Sequence, residues 1–358
     1  MSGKQNAVFA GERMRAVICQ QYSSPDVLRL AEMAKPRPRD NEVLIKVYAA
    51  SLNAYDWHLL RADPFFVRAK AGLFKPRNTI LGGDIAGVVE TAGSGARRFK
   101  PGDAVYGCLE SCGAGGLAAG GLAKYVCARE GVLAPKPPGV TFEQAAATPM
   151  AAVTALQGLR DAGRIKHGTR VLINGASGGV GTFAVQIAKA FGAEVTGVCS
   201  AHSSDMVRAI GADVTVDYAV QDFSRTGQRY DLILDIAANH TVADYRRALC
   251  PEGLCVVVGF SALGHTLRVA LATLSGTKYE GKRIVLLAAN NTDGKDLVFI
   301  NALLEAGKIV PIIDRHYPLT EAANAIRYIE TGHPKGKVVV VIGGHATPAC
   351  GVKQPSFP

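Results

Sequence analysis

The stretch that decides the reading runs Thr169-Arg-Val-Leu-Ile-Asn-Gly-Ala-Ser-Gly-Gly-Val-Gly-Thr-Phe-Ala-Val-Gln-Ile-Ala-Lys-Ala-Phe191. Val171 to Ile173 is a short apolar run of the kind that forms a buried parallel strand. The turn that follows carries glycine at 175, 178, 179 and 181. Beyond it Val180, Ala184, Ile187 and Ala188 recur at helical spacing. A strand, a glycine turn and a helix in that order suit a dinucleotide pyrophosphate. Residues without side chains let backbone N–H groups approach the phosphates, and a helix N-terminus presents unpaired donors to them. The candidate cradle is Gly175, Ala176, Ser177, Gly178, Gly179, Val180 and Gly181.

The spacing differs from the simple G-x-G-x-x-G, so the flanking elements matter. A second apolar segment, Glu194 to Cys199, follows Gly192-Ala193. A helical segment runs from Ser204 to Ile210 with Gly211 as its cap, and Val214 to Val216 reads as a third strand. Strand–helix–strand–helix–strand over residues 169–216 is the mononucleotide-binding half of a Rossmann sheet. Further strands are expected at Tyr230–Ile236, Leu254–Gly259 and Ile284–Ala288, with helices at Val242–Leu249 and Leu297–Ala306. A helix with Thr320 as N-cap should reach Thr331, and a closing strand should fill Lys337–Ile342.

Upstream, Glu42–Ala50 alternates, with Val43, Ile45 and Val47 on one face. Asp84–Thr91, Ala104–Gly107 and Leu122–Cys127 add short strands between glycine turns, which suggests an irregular barrel. Thr141 and Gln144 form a capping-box pair at the start of a helix broken near Pro149.

The chain has 358 residues, enough for two domains, and 48% of them are hydrophobic. No apolar run approaches the ~18 residues of a membrane span, and the N-terminus has no secretory core, so a soluble cytoplasmic protein is expected. Net charge is +10, but Lys and Arg are scattered. A nucleic-acid function is therefore not expected. Eight dispersed cysteines point to reduced thiols.

Several stretches together resemble the medium-chain dehydrogenase/reductase superfamily, within it the zinc-independent quinone oxidoreductase (zeta-crystallin-like) branch. They are Ser51-Leu52-Asn53-Ala54-Tyr55-Asp56, Gly82-Gly83-Asp84-Ile85-Ala86-Gly87, Lys100-Pro101-Gly102-Asp103, Ala151-Ala152-Val153-Thr154-Ala155-Leu156, the glycine turn, and Gly211-Ala212-Asp213 with Asp217-Tyr218. The resemblance implies an α/β protein, with a GroES-like β-rich catalytic domain (14–140 and 291–345) around a Rossmann NADP-binding domain (141–290). Residues 1–13 would be a disordered extension and 346–358 a mobile tail. It also implies a cofactor cleft between the domains and a homodimer.

Zinc-dependent relatives carry Cys where this chain has the Asn53 segment and His where it has Gly83. A catalytic zinc needs about three protein ligands, so no metal is expected. The end of the second strand, Cys199-Ser200-Ala201-His202-Ser203, lacks the carboxylate that holds the 2′-hydroxyl of NAD. That favours NADP(H), with Ser200, His202, Ser203 and, by resemblance, Tyr218 around the 2′-phosphate. The relatives commonly place Lys or Arg in this segment, and this chain does not. Thr154 and Lys337 resemble family positions near the cofactor. Gly259, Phe260 and Ser261, after the fifth strand, face the same crevice by the strand-end rule.

Without zinc the fitting reaction is conjugate reduction: hydride to the β-carbon of an enone or quinone, with the enolate oxygen held by hydrogen-bond donors. Asn53 is the expected orienting amide, Tyr55 a donor, and Asp56 a fixer of the loop or an acid. Phe65 and Phe66 would wall the substrate. The expectation is therefore an NADPH-dependent quinone or enone reductase. The alternatives are a zinc-independent alcohol dehydrogenase or ketone reductase, a trans-acting enoyl reductase, and a low-turnover NADPH-binding sensor.

Overall fold

The computed structural model describes residues 12–63, 65, 67–77, 79–109, 120–258, 269, 281–287 and 294–343. The expectations for residues 1–11, the tail, Phe66, Gly259, Phe260 and Ser261 lie outside those residues.

A six-stranded parallel sheet forms around the deciding stretch. Its spatial order is Val214–Asp217, Glu194–Cys199, Arg170–Asn174, Tyr230–Asp235, Leu249–Val257, Arg283–Leu286, with every neighbouring pair parallel. In chain order this is 3-2-1-4-5-6, the doubly wound Rossmann topology. The apolar runs arise because helices cover both faces. Val171 and Ile173 pack with Phe183, Ile187, Ile300 and Leu304 on one side. Leu172, between them, packs with Ile233, Tyr245 and Leu249 on the other. Each such side chain contributes roughly 1.5–3 kcal/mol of apolar burial.

A seven-stranded sheet carries the other unit. Its path is Ile313–Pro318, Lys337–Val341, Glu42–Leu52, Asp84–Ala92, Ala104–Cys108, Leu133–Pro135, and Tyr125–Arg129 pairs with Glu42–Leu52 off that path. The chain thus returns, after the parallel sheet, to add two strands to a sheet begun before it. A hairpin of Arg13–Ile18 and Arg29–Ala34 packs Met14, Ala16 and Val17 into the same core as Ile45, Ile85, Leu122, Ile326 and Val340. This is the GroES-like, β-rich half of a mixed α/β molecule.

Some elements differ from the sequence reading. Helices at Ala54–Arg61 and Val67–Ala71 and the strand Ile313–Pro318 have no periodicity strong enough to announce them. The first is held by its cap, and the strand is a polar edge. The strand expected at Leu122–Cys127 lies at Tyr125–Arg129. The helix expected to start at Thr320 begins with the short 3-10 turn Leu319–Glu321 and becomes α-helical at Ala322.

Candidate active site

In the parallel sheet the strand order reverses between Arg170–Asn174 and Tyr230–Asp235, the switch point beyond whose strand ends open parallel sheets place their ligand crevice. The two ends are pinned together. Asn174 donates to Asp235 Oδ1 at 2.9 Å and to Asn239 Oδ1 at 2.9 Å, and Ala238 N–H and the Tyr245 hydroxyl also donate to Asp235, at 2.8 and 2.6 Å. Asp235 is fully buried, and its fixed partners make a rigid floor for the turn.

Gly175 takes φ +87, a left-handed backbone that suits glycine. A Cβ at Gly181 would lie 2.0 Å from the Gly175 carbonyl oxygen, so that glycine is required by close approach. A Cβ at Gly178 would meet only Gly175 O, at 3.6 Å. The helix Gly179–Ala190 starts there with no side-chain cap, which leaves its first N–H groups without an intrahelical partner. A glycine turn at a dipole-positive helix end suits a pyrophosphate. Ala176 is buried beneath the turn, with its N–H on Val198 O at 3.0 Å, while Ser177 and Val180 are half-buried at its surface.

At the end of the second strand the Ser200 and Ser203 hydroxyls lie 3.4 Å apart. Ser203 is buried, Tyr218 is 54% exposed, and its N–H is tied to Cys199 O at 3.2 Å. A residue the sequence reading passed over also arrives here. Lys335, from the loop before the last strand, donates through Nζ to the His202 carbonyl at 3.4 Å.

Across the crevice, Asn53 caps the helix Ala54–Arg61. Its amide Nδ2 donates to Asp84 Oδ2 at 2.9 Å and its Oδ1 accepts from Lys337 Nζ. Lys337 also donates to Leu52 O at 3.2 Å and stands 3.8 Å from Asp84 Oδ2. Both Asp84 oxygens accept the Met150 N–H, at 3.2 and 3.3 Å, which sets the carboxylate at the start of the helix Pro149–Leu156. Asp56 accepts the Asn53 N–H at 2.7 Å and the Gly82 N–H at 2.7 Å. Asp56, Asp84 and Lys337 are all buried. Burial pushes the Asp56 carboxyl up to about 6. It also pushes Asp84 up, against the pull of Lys337 and Asn53, and pushes Lys337 down.

The structure therefore brings Asn53 and Lys337 together and adds Asp84, a buried carboxylate at the head of the strand Asp84–Ala92. That position was the available signal. What Lys337 lays against the glycine turn is its methylene stem: a Cβ at Gly179 would be 2.9 Å from Lys337 Cδ. Gly336 bridges to Gly178. Thr154 is buried one turn along the helix from Met150. Tyr55 lies 38% exposed in the first turn of its helix and Phe65 is 69% exposed. His58 sits on the Trp57 ring with Nδ1 2.6 Å from Asp63 O. Among the described residues no group of three or more His, Cys, Asp or Glu is arranged to hold a metal.

A doubly wound sheet with a glycine cradle, joined to a GroES-like unit across a cleft, defines a nicotinamide-dependent oxidoreductase. Residues 39–138 match the alcohol dehydrogenase GroES-like domain family, and residues 210–340 the family described as zinc-binding dehydrogenase. The chain is 34% identical over 367 residues to the Bos taurus mitochondrial NAD(P)H oxidoreductase RTN4IP1, covering 91% of this chain and 89% of that one. It is 34% identical over 339 residues to the Solanum lycopersicum 2-methylene-furan-3-one reductase, covering 91% and 79%. The solved quinone oxidoreductase of Coxiella burnetii superposes with a TM-score of 0.80 at 30% identity, over 93% of this chain and 100% of that one. The chain belongs to the medium-chain dehydrogenase/reductase superfamily, in its quinone oxidoreductase-like branch.

Proposed function

We propose that this oxidoreductase uses NADPH to reduce quinones or α,β-unsaturated carbonyls, without zinc. The observation that carries the reading is the fixed Asn53 amide. Asp84 takes one N–H and Lys337 holds the carbonyl end, and the second N–H of the amide would be the oriented donor to the substrate oxygen. Pre-oriented donors of this kind stabilise charge that develops on a substrate oxygen, the task a zinc ion performs in other members of the superfamily. When bound, the reduced nicotinamide supplies a hydride. The glycine turn would hold the pyrophosphate, Ser200, Ser203 and Tyr218 the 2′-phosphate, and buried Thr154 would shape the nicotinamide end. The absence of a carboxylate after the second strand supports NADPH over NADH. The names of the tomato and Coxiella relatives support the enone and quinone classes. A homodimer belongs to the same proposal: among the described residues Arg283–Leu286 is the outermost strand of the parallel sheet, an edge that a second copy would cover, and light scattering would then read twice the chain mass.

The test is oxidation of NADPH and NADH against 1,4-benzoquinone, a 2-alkenal, a cyclic enone and a saturated ketone. Turnover of quinone or enone with NADPH, and not of the ketone, supports conjugate reduction. Turnover of the ketone alone would replace it with carbonyl reduction. Metal analysis of protein purified without chelators should give well under one zinc per chain, and stoichiometric zinc would sink the metal-free mechanism.

A further inference from the structure

We infer that Lys335 supplies the positive charge for the cofactor's 2′-phosphate, from the GroES-like side of the cleft. The inference rests on the NADPH reading above and goes beyond it. A phosphate monoester carries about −1.5 to −2 charges at neutral pH. The segment that should receive it, Cys199 to Ser204, contains no Lys or Arg. Its hydroxyls, Ser200 and Ser203, are neutral donors. Charges close by offset one another, since Asp217 and Arg208 act on the Cys199 thiol with opposite sign. Hydrogen bonds with one charged partner are roughly twice as strong as neutral ones, so hydroxyls alone are a weak recognition set for a dianion.

Lys335 fills the gap from 133 positions along the chain. Its ammonium already lies on the His202 carbonyl, within the same three-residue turn as Ser203. Its base is held firmly. Its N–H donates to Asp314 Oδ2 at 2.8 Å, and the same oxygen accepts the Tyr328 hydroxyl at 2.6 Å. The next residue, Gly336, takes φ +109 and would drive a Cβ to 2.4 Å from Ile312 O. The side chain itself is exposed, so a short swing moves the ammonium from a carbonyl to a phosphate oxygen.

The test is binding, measured by calorimetry with NADPH, NADH and 2′,5′-ADP, on wild type, Lys335→Gln and Lys335→Arg. For Lys335→Gln the preference for NADPH over NADH should fall roughly tenfold, about 1.4 kcal/mol, with a parallel loss for 2′,5′-ADP. Lys335→Arg should retain most of the preference. An unchanged preference in Lys335→Gln, when wild type does favour NADPH, would overturn the role of Lys335 and leave the NADPH reading standing. A wild type that binds NADH as tightly as NADPH would overturn that reading and this inference together. Ser200→Asp separates the two independently: it should abolish the preference whatever occupies position 335.

Discussion

Asn53 has both amide atoms committed to buried charges, Nδ2 to Asp84 and Oδ1 to Lys337, so its orientation is set before any substrate arrives. Asn53→Ala should lower kcat by about 10²-fold, the usual loss for one oriented donor, with NADPH affinity nearly unchanged. An equal fall in affinity would make Asn53 a binding residue. Removing one member of the buried ion pair is a different matter, because the other is left uncompensated. Lys337→Met should cost roughly 3–5 kcal/mol in urea unfolding, and adding Asp84→Asn should recover part of it. A double variant no better than the single would mean that Lys337 acts through packing alone. Asp56 gives a pH signature. Its carboxyl is raised by burial to about 6, so its contribution to stability is complete below about pH 4, the unfolded value. That contribution is lost as pH rises through 6. Across this window wild type should lose roughly 1–3 kcal/mol relative to Asp56→Asn, and a constant difference would show that Asp56 titrates normally. Asp84 and Lys335 escaped the sequence reading for one reason. Each owes its role to a partner far away in the chain, and composition shows only an acid in a strand and a lysine in a loop.

The glycine turn and its flanking strands were legible because period, length and glycine placement all agree there. The strand–turn–helix unit needs little tertiary help to be specified. The helix Ala54–Arg61 is the reverse case. Its eight residues, Ala-Tyr-Asp-Trp-His-Leu-Leu-Arg, are too few to form alone, and the Asp56 carboxylate, which accepts the Asn53 N–H, holds its start in place. The strand Ile313–Pro318 is polar and, among the described residues, pairs on one side only, which removes the alternation that marks a strand. Within the turn the glycines have separable roles. At Gly181 an added Cβ meets backbone at 2.0 Å, whereas at Gly179 its nearest neighbour is a side-chain methylene, Lys337 Cδ, at 2.9 Å. Gly181→Ala should therefore lower the melting temperature, since backbone must shift. Gly179→Asp should fold with a smaller loss yet weaken NADPH binding by at least about 100-fold, because a carboxylate then faces the pyrophosphate at the helix end. Equal melting losses in the two variants would reject this division of roles.

At the scale of the whole molecule, Lys335-Gly336-Lys337 joins the two sheets at both ends of the crevice. Lys335 reaches the turn after the second parallel strand, Gly336 bridges to Gly178, and Lys337 runs past Gly179 to Asn53 and Asp84. A cofactor lying along the crevice touches elements that this tripeptide already holds together, so cofactor binding and the packing of the two units should be linked. Any ligand that binds the folded state alone stabilises it, by about 2.7 kcal/mol at a hundredfold excess over Kd. The linkage can be isolated with two glycines of positive φ. Gly336 (φ +109) is crowded by Ile312 O at 2.4 Å, while Gly332 (φ +75) has nothing within 4 Å. Gly332→Ala adds only the left-handed backbone penalty, on the order of 1 kcal/mol, and should lower the melting temperature while keeping the wild-type rise on adding NADPH. Gly336→Ala must displace the tripeptide as well, so its rise on adding NADPH at the same concentration should shrink to a small fraction of the wild-type value. If both variants keep the full rise, the tripeptide is a local turn, and the cofactor is bound by the parallel sheet alone.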